Sequence, residues 1–358
     1  MNNLFKNVFK GKKVLITGHT GFKGSWLSIW LTKLGAEVVG YALEPYTNKD
    51  NFELSNLKNK IIDIRGDIRD FESLKKVFDE YKPEFVFHLA AQSLVRLSYE
   101  NPKDTYDINI GGTVNVLECI KNTESIRVGI MVTTDKCYDN KEWVWGYREN
   151  DELGGYDPYS SSKGAAEIVI AGYRNSFFNT KNYKEHKKAI SSVRAGNIIG
   201  GGDWSKDRIV PDCIRALENK ADIEIRNPTA TRPWQHVLEP IYGYLLLASK
   251  MYNNGEDFSS AWNFGPDSES IVQVKEVSSM IIEYWGEGKW KDASNSESVH
   301  EAKLLSLDCN KAKKYLGWKP RLDIKKALKL TVQWYKNYGK ADVYNMCIEQ
   351  IKEYLGEN

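Results

Sequence analysis

The sequence predicts an α/β fold: a doubly wound parallel sheet with a smaller, mostly C-terminal second domain. Three observations carry this reading. Between residues 12 and 194, six short apolar segments alternate with stretches whose apolar residues recur at helical spacing. The short segments are apolar throughout rather than alternately polar, the pattern of strands covered by helices on both faces. The first of them runs directly into a glycine-spaced turn and then a helix.

In order, residues 12–17 (KKVLIT) form the first strand. Trp26, Leu27, Trp30, Leu31 and Leu34 follow on one helical face, and Gly35 stops that helix. Further strands are expected at 37–42, 61–64, 85–90, 127–133 and 189–194, and helices at 71–81, 102–121 and 159–178. After Asn197 the pieces shorten and Trp, Pro and Gly recur. There the spacing predicts helices at 210–219, 240–251, 274–285, 310–316 and 324–338, with strands at 223–226 and 261–264. No repeat or low-complexity linker separates the two parts. The division therefore falls at 1–196 and 197–358, the second part docked on the first, with some of its segments returning to the first.

The 358 residues are 41% hydrophobic, enough for a large core. A net charge of +2 with 27% charged residues gives no signal for nucleic acid. The apolar runs are too short for a signal peptide or a membrane span, so a cytoplasmic protein is expected. Cys119, Cys137, Cys213, Cys309 and Cys347 are odd in number and have neither CxxC spacing nor nearby His ligands. Free thiols are expected, and no metal site.

The first strand ends in Thr17-Gly18-His19-Thr20-Gly21-Phe22-Lys23-Gly24. Glycines at 18, 21 and 24 let a phosphate approach the backbone, and the following helix N-terminus offers N–H donors and positive dipole. Between a strand and an amphipathic helix this GxxGxxG loop, with Thr20, Phe22 and Lys23, reads as the cofactor cradle of a Rossmann-type sheet. Glu44 is the one carboxylate near the end of the second strand, on a cofactor ribose or merely a solvated turn. No Arg or Lys occurs within 41–48 to meet a 2′-phosphate, which favours NAD over NADP. Asp67, with Ile68, closes the third strand, where the carboxylate could reach an adenine amino group or simply cap the surface. Leu89, Ala90, Ala91 and Gln92 close the fourth strand beside the cofactor.

Tyr159-Ser160-Ser161-Ser162-Lys163 is a YxxxK pair opening a helix, with the phenol and the ammonium on one face. A phenol of ordinary pKa about 10 becomes a usable base if Lys163 and a nicotinamide cation favour phenolate. The fifth strand ends in Thr134-Asp135-Lys136, which the strand's carboxyl end should present to the crevice. Thr134 can bond a sugar hydroxyl, and Asp135 and Lys136 place an acid and a potential base side by side.

The whole chain resembles the extended short-chain dehydrogenases/reductases and, within them, the CDP-glucose 4,6-dehydratases. The resembling segments are GHTGFKGSWL, LAAQSLVR, SYENP, VTTDKCYDN, YSSSK, RAGNIIGGGDW and RPWQHVLEP. The glycine and YxxxK motifs mark only the superfamily; TDKCYDN and RPWQHVLEP are more specific. Related dTDP- and GDP-sugar dehydratases usually carry Asp-Glu where this chain has Asp135-Lys136. The resemblance implies an enzyme that uses NAD. Tyr159 would take the O4′ proton as C4′ is oxidised, a base would remove the C5′ proton, and water would leave C6′ with Asp135 as proton donor. Hydride would then return to C6′, giving a 4-keto-6-deoxy sugar. A Lys is a base only when neutral, so Lys136 either removes the C5′ proton or stays charged and stabilises the enolate.

For the nucleotide sugar, Arg208 and Arg232 could hold the diphosphate, Arg96 and Asn197 could line the site, and Trp204 either stacks on a pyrimidine or packs, as Trp234 does. His19 and His236 are binding or merely loop residues, His88 reads as core, and His186 and His300 have no role. CDP-glucose as the particular substrate rests on the resemblance alone. A sugar-nucleotide 4-epimerase or decarboxylase would share Tyr159 and Lys163 without needing Asp135-Lys136, and a non-catalytic NAD-binding regulator would need none of the four. Apolar positions Val114, Leu117, Ala165, Ile168 and Val169 predict a homodimer or dimer of dimers through the helices at 102–121 and 159–178.

Overall fold

The computed structural model describes residues 4–294 and 304–357; His300 lies outside them. The strands are β1 (Lys13–Thr17), β2 (Glu37–Ala42), β3 (Ile62–Arg65), β4 (Phe85–His88), β5 (Val128–Val132), β6 (Ala189–Arg194), β7 (Ile198–Ile199), β8 (Ile223–Ile225), β9 (Thr231–Pro233), β10 (Gln235–His236), β11 (Ala261–Asn263), β12 (Ile271–Gln273) and β13 (Trp290–Asp292). The helices of the first half are α1 (Phe22–Lys33), α2 (Asn51–Leu54), α3 (Phe71–Tyr81), α4 (Val95–Glu100), α5 (Pro102–Tyr106), α6 (Gly112–Asn122), α7 (Pro158–Ser176) and α8 (Tyr183–His186). Those of the second are α9 (Ile209–Glu218), α10 (Leu238–Asn253), α11 (Gly255–Phe258), α12 (Val274–Trp285), α13 (Ile324–Asn337) and α14 (Val343–Leu355).

Seven parallel strands form the central sheet in the order β11-β6-β5-β4-β1-β2-β3. Alternate residues of each strand feed different cores. Val14, Ile16, Phe85 and Phe87 join one apolar cluster, with α1, α10 and α14, while Leu15, Val39 and Val86 join the other, with α3, α6 and α7. Burial on both faces is why no polar alternation shows in the sequence. Each such side chain contributes about 1.5–3 kcal/mol by leaving water. The winding reverses between β1 and β4, whose ends are tied by Thr17 Oγ1 and His88 Nδ1 at 2.7 Å. Open parallel sheets bind ligands in the crevice at this point.

Two differences from the sequence expectation, and one expected return of a C-terminal segment, bear on the site. The helix expected at 102–121 is broken by a π-helical stretch at Asp107–Gly111. Its buried Asn109 accepts from Gln92 N (2.9 Å) and donates to Gln92 O (3.0 Å) and Ser162 Oγ (2.8 Å), tying the end of β4 to α7. The expected 261–264 strand becomes β11, the edge of the main sheet beside β6, so this C-terminal segment returns to the N-terminal layer. An additional helix, α14, packs on α1, capped by Asp342 accepting from Asn345 N. No described helix is long and apolar enough to cross a membrane. All five cysteines are free and buried, and among the described residues no cluster of His, Cys, Asp or Glu could hold a metal.

Candidate active site

A cleft of about 1850 Å³ opens above the carboxyl ends of the strands. That exceeds the roughly 300–1,000 Å³ of a single small-ligand pocket and gives room for two nucleotide-sized molecules together.

The glycine loop forms its cofactor wall. Gly18 has φ +79°, and a Cβ there would meet Ala90 N at 2.7 Å. A Cβ at Gly24 would stand 2.1 Å from Gly18 O. Gly21 is the N-cap of α1, and no side chain caps that helix, so its N-terminus is left to an anion. Thr20 Oγ1 donates to Leu43 O at 3.0 Å, closing the loop onto β2. Phe22, Lys23, Ile68, Leu89, Ala90 and Ala91 line the same wall. These residues fit a dinucleotide such as NAD.

Some expected cofactor contacts are otherwise engaged. The Gln92 amide is committed to its own loop, Oε1 accepting from Leu94 N (2.5 Å) and Nε2 donating to Leu94 O (3.1 Å) and Thr105 Oγ1 (3.0 Å). Gln92 therefore offers the cleft mainly its backbone. Asp67 reaches the cleft wall already paired with Arg69. Glu44 lies at the rim, 3.5 Å from Arg65 Nε. Arg65 comes from β3, brought to Glu44 by the Ala42–Arg65 register, and is not itself in the cleft lining. His19 is buried, bonded to Asp63 Oδ1 at 2.7 Å, under a Gly40 whose Cβ would strike its ring at 2.3 Å. Its role is to support the loop. Lys23 extends under the wall to Tyr244 OH (3.4 Å); burial, then the nearby Lys163 and Arg208, bring its pKa down to about 7.

The reacting centre lies between α7 and the end of β5. Asp157 caps α7, accepting from Ser160 N (2.9 Å) and Ser160 Oγ (2.6 Å). Pro158 at the first turn and the bond from Tyr159 N to Ser98 Oγ (3.1 Å) fix Tyr159 at the cleft wall. Lys163 lies one turn on, its Nζ donating to Val132 O at 3.4 Å. The expected depressed phenol is not produced by these residues. Burial pushes Tyr159 up to about 12, a hydrogen bond with Thr134 opposing it, and burial brings Lys163 down to about 8 against the pull of Glu167.

Asp135 and Lys136 stand next to each other, Nζ 3.7 Å from Oδ1, but only Lys136 lines the cleft. Lys136 is at the wall, its side chain 31% exposed, whereas the Asp135 side chain is 1% exposed. Asp135 accepts from Thr134 Oγ1 (2.9 Å) and Asn197 Nδ2 (3.3 Å), with Lys136 Nζ at 3.7 Å. Gly196 makes room for it, since a Cβ there would come within 1.9 Å of the carboxylate. The two charged ends meet at the wall, but one side chain lines the cleft and the other lies directly behind it. Thr134 bonds both Tyr159 and Asp135, which makes a hydroxyl relay between them.

On the other side of the cleft, Arg96, Asn197, Arg208 and Arg232 all reach the lining. Arg208 is held by Asp203 (2.9 Å) and Ser93 Oγ (3.3 Å), Arg96 lies 3.7 Å from Asp207, and Arg232 donates to Thr231 O (3.0 Å). Two expectations are corrected. His236 is fully buried away from the cleft, against Trp26, because β10 pairs with β7 and turns the ring into the core. Trp204 reaches the lining but is only 6% exposed, with Tyr335 and Tyr338 in edge contact and the Lys49 ammonium 4.9 Å over its ring, so it is mainly a packed side chain. The acidic partners Asp203, Asp207 and Asp212 and the cation Arg226, also in the lining, were not anticipated. Their signal was charge clustering around residues 203–212.

Such a cradle at the sheet's switch point, with a Tyr–Lys couple on one side and a row of arginines on the other, defines an extended short-chain dehydrogenase/reductase. More particularly, the chain belongs to the GDP-mannose 4,6 dehydratase family, whose model matches residues 15–331. It is 50% identical over 351 residues, 98% of either chain, to a CDP-glucose 4,6-dehydratase of Salmonella typhimurium (strain LT2). It is 26% identical over 347 residues to the human dTDP-D-glucose 4,6-dehydratase, covering 91% of this chain and 90% of that one. A Bacillus anthracis dTDP-glucose 4,6-dehydratase solved with NAD shares the fold at TM-score 0.74 and 21% identity, over 94% of this chain and all of that one.

Proposed function

We propose that this enzyme is a CDP-glucose 4,6-dehydratase that converts CDP-glucose to CDP-4-keto-6-deoxyglucose. The observation that carries the reading is the half-identity, over nearly the whole chain, to a relative of that activity, with Lys136 standing at the cleft wall beside the Tyr159–Lys163 couple. We take residues 1–196 as the cofactor domain, completed by β11, and 197–358 as the nucleotide-sugar domain. NAD, when bound, supplies the hydride acceptor and later the donor. Tyr159 takes the O4′ proton, with Thr134 passing hydrogen-bond polarisation to Asp135. Lys136, in the cleft lining, is the group for C5′, and Asp135, behind the wall, supplies the proton that leaves with the C6′ hydroxyl through Thr134, whose hydroxyl gives one proton to the leaving oxygen and takes one from the protonated Asp135 carboxyl. Arg208 and Arg232 hold the diphosphate; Arg96 and Asn197 complete the substrate wall. The test is a panel of CDP-, dTDP-, UDP- and GDP-glucose scored for the alkaline 4-keto chromophore, with NAD substoichiometric. CDP-glucose should turn over many times per NAD; NADH accumulating in proportion to product would exclude the dehydratase reading.

The free, buried cysteines support placing the enzyme in the cytoplasm. We also propose a homodimer, or a dimer of dimers, through α5–α6 and α7. Leu117 is fully buried toward the sheet, so it cannot contribute, but Ile168 is 62% exposed on α7, with Val114, Ala165 and Val169 partly exposed nearby. Light scattering at micromolar concentration should give at least the dimer mass. Ile168→Asp should shift it toward the monomer mass, because a carboxylate cannot be buried unpaired across a two-fold axis.

A further inference from the structure

Tyr159, Lys163 and Glu167 are four residues apart on α7 and so share one face of the helix. The first two belong to the couple described above. Glu167 has no place in the cleft. Its carboxylate is 2% exposed and lies 2.7 Å from Arg194 Nη2, itself 3% exposed. Two buried charges are costly to desolvate and are weak evidence for stability in themselves, so their position calls for a reason.

Their hydrogen bonds supply one. Glu167 accepts from Thr133 Oγ1 (2.5 Å) and Ser192 Oγ (2.7 Å). Arg194 Nη1 donates to Tyr138 OH (2.7 Å) and Glu149 O (3.0 Å), and its guanidinium lies 4.9 Å from the Tyr138 ring centre. Tyr138 OH passes on to Asn263 Oδ1 on β11 (2.8 Å). Thr133 immediately precedes the Thr134–Lys136 turn, and Tyr138 follows it by one residue. One ion pair thus grips both ends of the turn and, through Glu167, the helix that carries Tyr159 and Lys163.

We propose that the buried Glu167–Arg194 pair is a positioning unit for the reaction: it sets the Tyr159–Lys163 helix against the Thr134–Lys136 turn and presents Lys163 with its facing negative charge. This rests on the assignment of Tyr159 and Lys163 as the oxidation couple. The other groups facing Lys163 are Tyr159 on α7, the Cys137 thiol beyond β5, His88 on β4 and Lys23 on α1. Burial keeps Cys137 a thiol and His88 neutral, and Lys23 is a cation or neutral, never an anion. Glu167 is therefore the carboxylate whose charge Lys163 feels, alongside burial that opposes its ammonium.

The sign follows. Without the Glu167 charge, Lys163 loses its proton at lower pH, and the alkaline limb of kcat/KM moves down, by about one unit or more given the usual effect of an opposite charge nearby. Glu167→Gln alone strands Arg194 and is open to misfolding. The informative variant is Glu167→Gln/Arg194→Gln, which replaces the charges by two amides, the one at 167 able to keep bonds to Thr133 and Ser192; neutral replacements of buried pairs are often tolerated. It should fold, bind CDP-glucose with KM within about threefold, lose roughly tenfold or more in kcat above neutral pH as one group's protonation is lost, and show the lowered alkaline limb. Folded protein with the wild-type pH profile and kcat would overturn the proposal. Glu167→Asp covers the case in which the double variant does not fold. It keeps the charge but withdraws the carboxylate by one methylene, so kcat should fall while KM and the alkaline limb stay near wild type; wild-type kcat in that variant would equally overturn it. Tyr159→Phe, run alongside, separates the two levels: if it stays active, the assignment of the couple fails rather than the role of the pair.

Discussion

Tyr159→Phe should bring the reaction to a halt before any hydride leaves C4′. The phenol is fixed by the α7 cap at Asp157, by Ser98 on its backbone nitrogen and by Thr134 on its hydroxyl, so the ring should stay in place when the oxygen is removed. Only the proton acceptor is lost. Burial pushes the free phenol up to about 12, well above neutrality, so the protein's own residues do not prepay its ionisation. The cation of bound NAD and the ammonium of Lys163 must favour phenolate together. General base removal typically costs 10²- to 10⁴-fold, roughly 3–5 kcal/mol of transition-state stabilisation. In a single turnover with excess enzyme, absorbance at the reduced-nicotinamide band should not rise, while CDP-glucose still binds and the melting temperature stays close to wild type. A variant retaining more than about a tenth of kcat would remove Tyr159 from the role.

The sheet was legible because its strands are buried on both faces, and this burial leaves runs such as KVLIT and FVFH that no turn or helix explains. The YxxxK pair and the glycine loop were legible because helical periodicity and the absence of Cβ are local properties. What was not legible depends on contacts distant in sequence. The π-helical stretch at Asp107–Gly111 follows from Asn109 reaching Gln92 and Ser162, 17 and 53 residues away. Periodicity alone continues the helix through it. β11 was read as a strand, but its place at the edge of the main sheet depends on β6, far earlier in the chain. The same applies in the site. His236 looked available until β7 turned it inward, and the direction of Asp135 is fixed by Asn197 and by the missing Cβ of Gly196. Adjacent residues of a tight turn diverge, so a dipeptide cannot say which of its members meets the substrate. Glu167 continues the Tyr159–Lys163 face by one turn, but its meaning required Arg194 at 2.7 Å.

Because Lys136 lines the cleft and Asp135 acts from behind Thr134, Lys136→Ala and Asp135→Asn should fail at different steps, both after oxidation. Neither residue contacts the Tyr159 hydroxyl directly; Thr134 stands between Tyr159 and Asp135. Oxidation at C4′ should therefore proceed in both variants, and reduced nicotinamide and the 4-keto-glucose intermediate should build up within the first turnover. The isosteric Asp135→Asn can keep the bond from Thr134, and that to Asn197 if the Asn197 amide turns over, but carries no acidic proton. The C5′ hydrogen should then exchange with solvent deuterium while the C6′ hydroxyl stays in place. Lys136→Ala removes the amine at the wall. Here C5′ exchange should be lost together with elimination, since the 4-keto group acidifies C5′ but some base must still take the proton. Exchange retained in Lys136→Ala would instead make Lys136 a charged stabiliser of the enolate, with water or another group as base. Each loss should be about 10²- to 10⁴-fold in turnover, large enough for stopped-flow absorbance and mass spectrometry of the quenched sugar to assign the blocked step. If neither variant shows transient reduced nicotinamide while substrate binding is normal, the elimination step does not belong to this turn.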